Sequence, residues 1–192
     1  MANLVSLLEY KESEGINSPK DDLRLNSLIP SVSQLVKTYC GNSIIDYYTT
    51  NKVETISIHW GTEIVQLTES PVNTIVSIEE RDSLSGAYVT LIENEDYFFD
   101  SNLDVVYRTT ASGHYKSWKV GPGSVKVTYT AGYSSCPEDL KLAVIDLITY
   151  YYKDEHKPRQ TLSGATRENA PSGESIGFPD HIKRVLDMYK TY

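Results

Sequence analysis

The chain of 192 residues contains few groups of side chains that could do chemistry. Its four histidines are scattered, and no pair has the spacing at which two imidazoles bind one metal ion. Residues 100–104 (DSNLD) begin like a calcium-binding loop. However, Val105 replaces the glycine that the sharp turn of such a loop requires, and Ala111 replaces its bidentate glutamate. We therefore interpret this run as a polar turn between strands.

Motifs for nucleophilic catalysis and phosphate binding are also missing from the sequence. It contains no GxSxG elbow, and residues 121–123 (GPG) have a proline where a phosphate cradle needs a backbone N–H. Glu93, Glu95 and Asp96 are close in sequence, but charged turn residues usually face solvent without catalysing anything. We predict a protein that is not an enzyme and that uses no cofactor and no metal.

The overall charge argues against nucleic-acid binding. The net charge is −8 and the sequence pI is about 5.0, whereas a nucleic-acid binder needs a basic surface to replace counterions. Cys40 and Cys136 are isolated, which predicts no disulfide framework and a reducing compartment. The sequence shows no signal segment and no long apolar run, so we expect neither secretion nor membrane insertion.

The other elements are arranged around residues 125–152, which we interpret as a strand, a turn and a helix that starts at Pro137. Two apolar stripes run along this helix: Leu140, Ala143, Val144, Leu147 and Tyr151 form one, and Leu142, Ile145, Thr149 and Tyr152 form the other. A helix that rests on one sheet needs only one apolar face. Either this is a central core helix packed on several sides, or its second stripe contacts another subunit.

The remaining patterns predict a mixed α+β fold. Apolar spacing predicts helices over residues 3–11, capped by Asn3, and 21–40, with a kink or break at Pro30. Helix 138–153 completes a helical bundle. Between the second and third helices, residues 53–130 consist of short alternating runs joined by tight turns. Such connections predict an antiparallel meander or small barrel.

The C-terminal part of the chain differs from this connector domain, which we assign to residues 1–154. Residues 155–192 are predicted to form a flexible arm, polar and rich in Pro, Gly, Ser and Thr, followed by a short helix that begins near Pro179. The apolar stripe of this helix consists of Ile182, Val185, Leu186 and Tyr189. The helix either folds back on its own domain or docks into a groove on another protein.

Four stretches, in this order and spacing, resemble the head-tail connector family of tailed bacteriophages, also called adaptor or head-completion proteins. They are residues 21–41, 70–83, 93–107 and 125–152. The last, VKVTYTAGYSSCPEDLKLAVIDLITYYY, is the most specific of the four. The sequence departs from the family pattern at Pro30 and in the length of its strand-rich middle.

The resemblance implies a structural virion protein, made in the host cytoplasm, that combines a helical bundle with a β region. Such proteins form a dodecameric ring beneath the portal protein. The ring extends the channel through which DNA passes without specific binding, and offers a platform for the tail or the next connector protein. On this basis we assign portal binding to Phe178, Ile182, Val185, Leu186 and Tyr189, and the subunit interface to Leu142, Ile145 and Tyr152.

Two alternatives remain open on sequence grounds. The first is a tail-side completion or stopper protein. A strand-dominated chain would have favoured it, but this chain also has the helices over residues 21–40 and 138–152. The second is a ligand-binding β module, for example one that recognises carbohydrate, which would need aromatic side chains exposed on one face; Trp60 and Trp118 are its candidates.

Overall fold

A computed structural model describes residues 2–153 and 178–191 and confirms the mixed α+β class. The chain divides into two compact units. The helical unit comprises Met1–Asn42 and Ser135–Lys190, and the β unit comprises Ser43–Ser134. The C-terminal helix therefore belongs to the same unit as the first three helices. The flexible arm predicted over residues 155–177 lies outside the described part of the chain.

Helix α1 (Leu7–Glu14) begins later than predicted, because Ser6 and not Asn3 caps it. The backbone N–H of Glu9 donates to Ser6 Oγ, and the Glu9 carboxylate accepts from the Ser6 N–H, so both orphan donors are satisfied. Leu4 and Val5 are buried ahead of the helix, where the Leu4 N–H donates to Ser33 Oγ. These apolar residues belong to the core of the unit but not to the helix.

Helix α2 (Asp22–Cys40) runs unbroken through Pro30. Of the predicted kink or break, the break is therefore wrong and the kink stays a prediction. Proline removes one backbone hydrogen bond, but it stands on the exposed side of a helix of 19 residues. The opposite side is buried through Leu25, Ile29, Val32 and Val36. Burying each of these side chains contributes about 1.5–3 kcal/mol, which offsets the loss of one bond.

Helix α3 (Glu138–Tyr152) has side chains buried on more than one side, and α4 (Asp180–Met188) lies against it. Its buried residues are Leu140, Ala143, Val144, Ile145, Leu147 and Ile148. The hydroxyls of Tyr10 on α1 and Thr149 on α3 are 3.1 Å apart, so α1 reaches α3 as well. α3 is thus the core helix of the helical unit.

Two antiparallel sheets make up the β unit, so the prediction of one continuous meander is wrong, and the small barrel stays a prediction. Its strands are β1 (Lys52–Ile58), β2 (Ile64–Gln66), β3 (Val72–Glu80), β4 (Val89–Thr90), β5 (Tyr97–Asp100), β6 (Val105–Arg108) and β7 (Gly121–Ala131). One sheet has the order β1-β7-β3-β4 and the other the order β2-β6-β5. The predicted antiparallel pairing is confirmed.

Alternation along β7 places the core of the β unit. Val125, Val127 and Tyr129 are fully buried, as their period-two spacing predicted. The GPG segment of residues 121–123 begins β7. A polar pair also lies in this core: Arg108 Nη2 is 3.3 Å from Glu80 Oε2, and both side chains are almost completely buried.

Candidate functional site

The apolar stripe of α4 is buried within the helical unit. Ile182 and Leu186 are almost inaccessible, and the Phe178 ring packs edge-on against Tyr39 of α2 with ring centres 5.2 Å apart. Val185 and Tyr189, the other members of the set assigned to portal binding, are half-buried. Contact between this stripe and a partner would require α4 to leave its place, so its role in portal binding stays a prediction.

Polar contacts at its C-terminal half also hold α4 in place. The Tyr39 hydroxyl donates to Asp187 Oδ1 over 2.6 Å, and the Tyr189 hydroxyl donates to Asp139 Oδ1 over 2.6 Å. The second bond is the main cause that holds the pKa of Asp139 below its usual value. Because these bonds join α4 to both α2 and α3, the helix is an integral part of the unit.

The three side chains assigned to a subunit interface have different surroundings. Ile145 is buried inside the helical unit and contributes to its core. Tyr152 is half-buried, and the guanidinium of Arg24 lies 4.9 Å from its ring centre. Leu142 is 60 % exposed, although it stands on a helix that is otherwise well buried. Of the three, only Leu142 presents most of its apolar surface to solvent.

Leu142 lies on the side of α3 along which α4 runs. Asp139 accepts from Tyr189, and Asp146 Oδ2 is 3.9 Å from Nε2 of His181, so α4 passes antiparallel to α3.

Helical spacing places Val185 and Met188 on the side of α4 that carries His181. Met188 is 72 % exposed. We call Leu142, Val185 and Met188 the α3–α4 patch. Sequence spacing alone could not predict that these residues of two separate helices lie on the same side of the unit.

The two tryptophans differ in exposure. Trp60 is 78 % exposed, just beyond the end of β1. Trp118 is only 2 % exposed, and its indole N–H donates to the Glu63 carbonyl over 3.1 Å. An indole that is buried and hydrogen-bonded cannot stack on a sugar, so the pair does not form an aromatic platform.

Polar groups in the β unit serve its architecture. Asp104 accepts from the Ser70 hydroxyl and from the Val72 N–H, and Asp100 accepts from the Asn102 N–H. These bonds make residues 100–104 a turn that supports its neighbours. Within residues 2–153 and 178–191, no group of three or more His, Cys, Asp or Glu side chains is placed to hold a metal ion.

Both cysteines are buried in the helical unit and are not joined in a disulfide. Burial raises the pKa of the Cys40 thiol to about 11 and that of Cys136 to about 12. At neutral pH the thiolate, which is the nucleophilic form, is therefore scarcely populated. These residues fill the core and do not form a reactive centre. Among the helices in the described ranges, none is long and apolar enough to cross a bilayer.

Comparisons with known proteins agree with this architecture. The family model described as "Head completion protein" matches residues 3–192. A head completion protein of Escherichia phage T5 is 34 % identical over 71 residues, which are 35 % of this chain and 39 % of that protein. The match therefore spans about two fifths of that relative's length.

The fold is also similar to chains in solved particles of a gene transfer agent (GTA). A chain in the neck of the empty particle, computed with C6 symmetry, has a TM-score of 0.62 at 14 % identity, over 98 % of this chain and 90 % of that one. A chain in the neck of the native particle, computed with C12 symmetry, has a TM-score of 0.56 at 16 % identity, over 100 % of this chain and 96 % of that one.

These findings confirm the family that the sequence resembles. The chain belongs to the head completion protein family.

Proposed function

We propose that this protein is a head-tail adaptor that forms a ring beneath the portal, extends the DNA channel and offers a platform for tail attachment. One observation carries the proposal: the fold is similar, over nearly the whole chain, to chains in virion necks computed with C6 and C12 symmetry. A dodecamer fits both symmetries. The acidic balance suits a channel wall that repels DNA phosphates and so does not retain them.

We propose the α3–α4 patch as part of the contact between neighbouring subunits. A ring with head-to-tail contacts needs an apolar surface that the folded subunit leaves uncovered. Leu142 and Met188 are 60 % and 72 % exposed, although the rest of α3 is mostly buried. Ile145 then supports the interface from inside the unit, and Tyr152 lies at its margin.

For the portal contact we propose that α4 remains docked and presents its exposed side. Phe178, Ile182 and Leu186 bury their side chains against the helical unit. Removing residues 178–192 would uncover that surface, so loss of portal binding after such a deletion could reflect damage to the fold. A test must therefore leave α4 in place.

The ring is tested by measuring molar mass with light scattering after size-exclusion chromatography, for the chain alone and with the portal protein. We expect a ring-sized mass or a stable joint peak for the native chain, and a monomer for Leu142→Asp. Leu103→Asp is the matched control, because Leu103 is 59 % exposed and belongs to the β unit, whereas the patch belongs to the helical unit.

A native chain that stays monomeric and ignores the portal would contradict the adaptor function. A chain that binds the tail but not the portal would favour the tail-side completion or stopper protein. If Leu142→Asp and Leu103→Asp both assemble normally, the ring stands and the α3–α4 patch is not its interface.

The portal contact is tested by bridging α3 and α4 with a bis-maleimide between Asp139→Cys and Tyr189→Cys. The native cysteines are buried, so the reagent reaches the two new thiols first. We expect the bridged protein to bind the portal as tightly as the unbridged double variant. If only the bridged form fails to bind, portal binding requires α4 to leave the unit. The apolar stripe of α4 would then make the contact with the portal.

A further inference from the structure

The outer face of the three-stranded sheet carries a row of apolar side chains that are exposed or half-buried. Tyr107 on the central strand β6 lies opposite Ile64 on β2 and Phe98 on β5. Side chains of directly paired residues point to the same face of a sheet, so these three form one cross-strand row. Tyr115 extends it, with its ring centre 5.6 Å from that of Tyr107.

This row is not needed for the core of the β unit. The alternate residues on the same strands face inward: Val65 and Val106 are buried at 3 % and 0 % exposure. On the outer face, Phe98 is 50 % exposed and Tyr115 is 63 % exposed. Contiguous aromatic surface left in water is costly and is typical of a site covered by another protein.

A cleft of about 290 Å³ opens along the row. Its lining includes Asn94, Phe98, Tyr107, Thr110, Gly113 and Tyr115. A tight turn holds one wall, where the Thr110 N–H donates to the His114 carbonyl and the Gly113 N–H donates to the Thr110 carbonyl. Because these bonds hold the wall in advance, little ordering is needed when a ligand enters.

Acidic residues flank the cleft. Asn94, which lines it, stands between the exposed Glu93 and Glu95. The Asn94 N–H donates to the Tyr97 carbonyl, which fixes this turn beside β5. Arg108 on β6 cannot balance these charges, because its side chain is buried and paired with Glu80 and Asp96. Among the described residues, no lysine or arginine lines the cleft.

We propose that this cleft binds a segment of the tail-side neighbour that carries an apolar side chain next to a lysine or arginine. The apolar side chain would stack among Phe98, Tyr107 and Tyr115, and the cation would face Glu93 and Glu95. This inference rests on the proposed adaptor function and names the surface of its tail platform.

The test uses portal rings loaded with the full chain and, as the probe, purified tails of the same virus. We expect Phe98→Ser with Tyr115→Ser to weaken tail binding by about tenfold or more, because exposed aromatic anchors dominate such contacts. Loading onto the portal should not change. Leu84→Ser with Val76→Ser is the matched control, since these apolar residues of the β unit are also exposed and do not line the cleft.

A second pair of variants tests the charge. Glu93→Lys with Glu95→Lys should slow tail association and reduce its dependence on ionic strength. Glu12→Lys with Glu14→Lys makes the same change in net charge on exposed positions of α1 and should bind tails as the native chain does. If both pairs slow association equally, overall charge is responsible and the charge part of the proposal fails.

The outcomes separate this inference from the adaptor function. If the native chain loads and the Phe98/Tyr115 variant binds tails normally, the cleft proposal is overturned and the adaptor stands. If that variant no longer loads, the cleft is a portal or subunit contact, which also overturns it. If the native chain does not load, the adaptor function fails. In that case the same tails are titrated against the soluble native chain, the Phe98/Tyr115 variant and the Leu84/Val76 control. Weaker binding by the Phe98/Tyr115 variant alone would support the cleft, and equal binding by all three would overturn it.

Discussion

The hydroxyl of Tyr189 donates a hydrogen bond to Oδ1 of Asp139 over 2.6 Å, and this bond ties the end of α4 to the first turn of α3. It joins residues that are 50 positions apart in the chain. The same Asp139 oxygen accepts from the Leu140 N–H over 2.9 Å. Both bonds favour the carboxylate form and hold the pKa of Asp139 below 3.8, its ordinary value.

Replacing Tyr189 with phenylalanine should raise the pKa of Asp139 towards 3.8, while the Leu140 bond keeps part of the shift. A carboxylate whose pKa is lowered by folding stabilises the protein above its ordinary pKa, and this contribution disappears as the pH falls through the folded value. The stability lost by Tyr189→Phe should therefore be largest at neutral pH and small in acid.

The measurements are an NMR titration of the Asp139 carboxyl and urea unfolding at neutral and acidic pH. Tyr115→Phe, on the exposed face of the β unit, is the control and should leave the Asp139 titration unchanged. An Asp139 pKa that Tyr189→Phe does not move would show that the hydroxyl does not hold this carboxylate in solution.

Shortening a buried side chain on α4 should lower the free energy of unfolding as much as a comparable substitution in the core does. Leu186 is fully buried, so Leu186→Ala should lower the free energy of unfolding by about 2–5 kcal/mol. Met188→Ala, two positions on and 72 % exposed, should change it by less than about 0.5 kcal/mol. Urea unfolding of both variants measures the difference. Equal, small effects would mean that α4 does not pack as described.

The buried ion pair of the β unit should be sensitive to loss of one partner. Arg108→Met leaves Glu80 buried without its cation and should cost about 3–5 kcal/mol. Adding Glu80→Gln should restore part of that loss, because the remaining charge is removed with it. Lys119→Met, which breaks the exposed pair with Asp82, should leave the midpoint of urea unfolding almost unchanged, because solvent screens that pair. Additive effects of the first two substitutions would show that the pair is not coupled.

Two glycines with similar backbone angles should respond differently to alanine. Gly132 has φ +93°, and a Cβ there would lie 2.3 Å from the carbonyl oxygen of Ile44. Gly113 has φ +81° with no atom within 4 Å of a Cβ. Both alanines pay about 1 kcal/mol for the left-handed conformation. Gly132→Ala must also displace backbone and should therefore melt at a clearly lower temperature in calorimetry. Equal melting temperatures would contradict the close approach of these two segments.

Local patterns in the sequence were sufficient to predict much of the fold. Period-two alternation placed Val125, Val127 and Tyr129 in a buried strand, and the spacing of apolar residues after Pro137 placed α3. Both signals act over a few residues, so the chain carries them whatever its neighbours do. The start of α1 was missed for a local reason, since the reciprocal bonds of Ser6 and Glu9 make a stronger cap than Asn3 offers.

The positions of the candidate sites could not be predicted from the sequence, because they depend on which elements pack against each other. An apolar stripe on α4 is the same sequence pattern whether it faces a portal or its own α2 and α3, because both burials remove the same area from water. Only the structure shows Ile182 and Leu186 buried within their own unit and Leu142 left exposed on α3. Likewise, the row of Ile64, Phe98 and Tyr107 comes from three separate strands, and only the pairing register joins them.

The sequence by itself determined the family, the α+β class and the absence of recognisable catalytic motifs, because these follow from local periodicity and from the order of phrases along the chain. The tertiary structure decided which apolar surfaces are used up in folding and which remain for partners. That division depends on contacts between residues far apart in the chain, such as Tyr189 with Asp139 and Tyr39 with Phe178. Such contacts form only when the elements pack, and no single element encodes them.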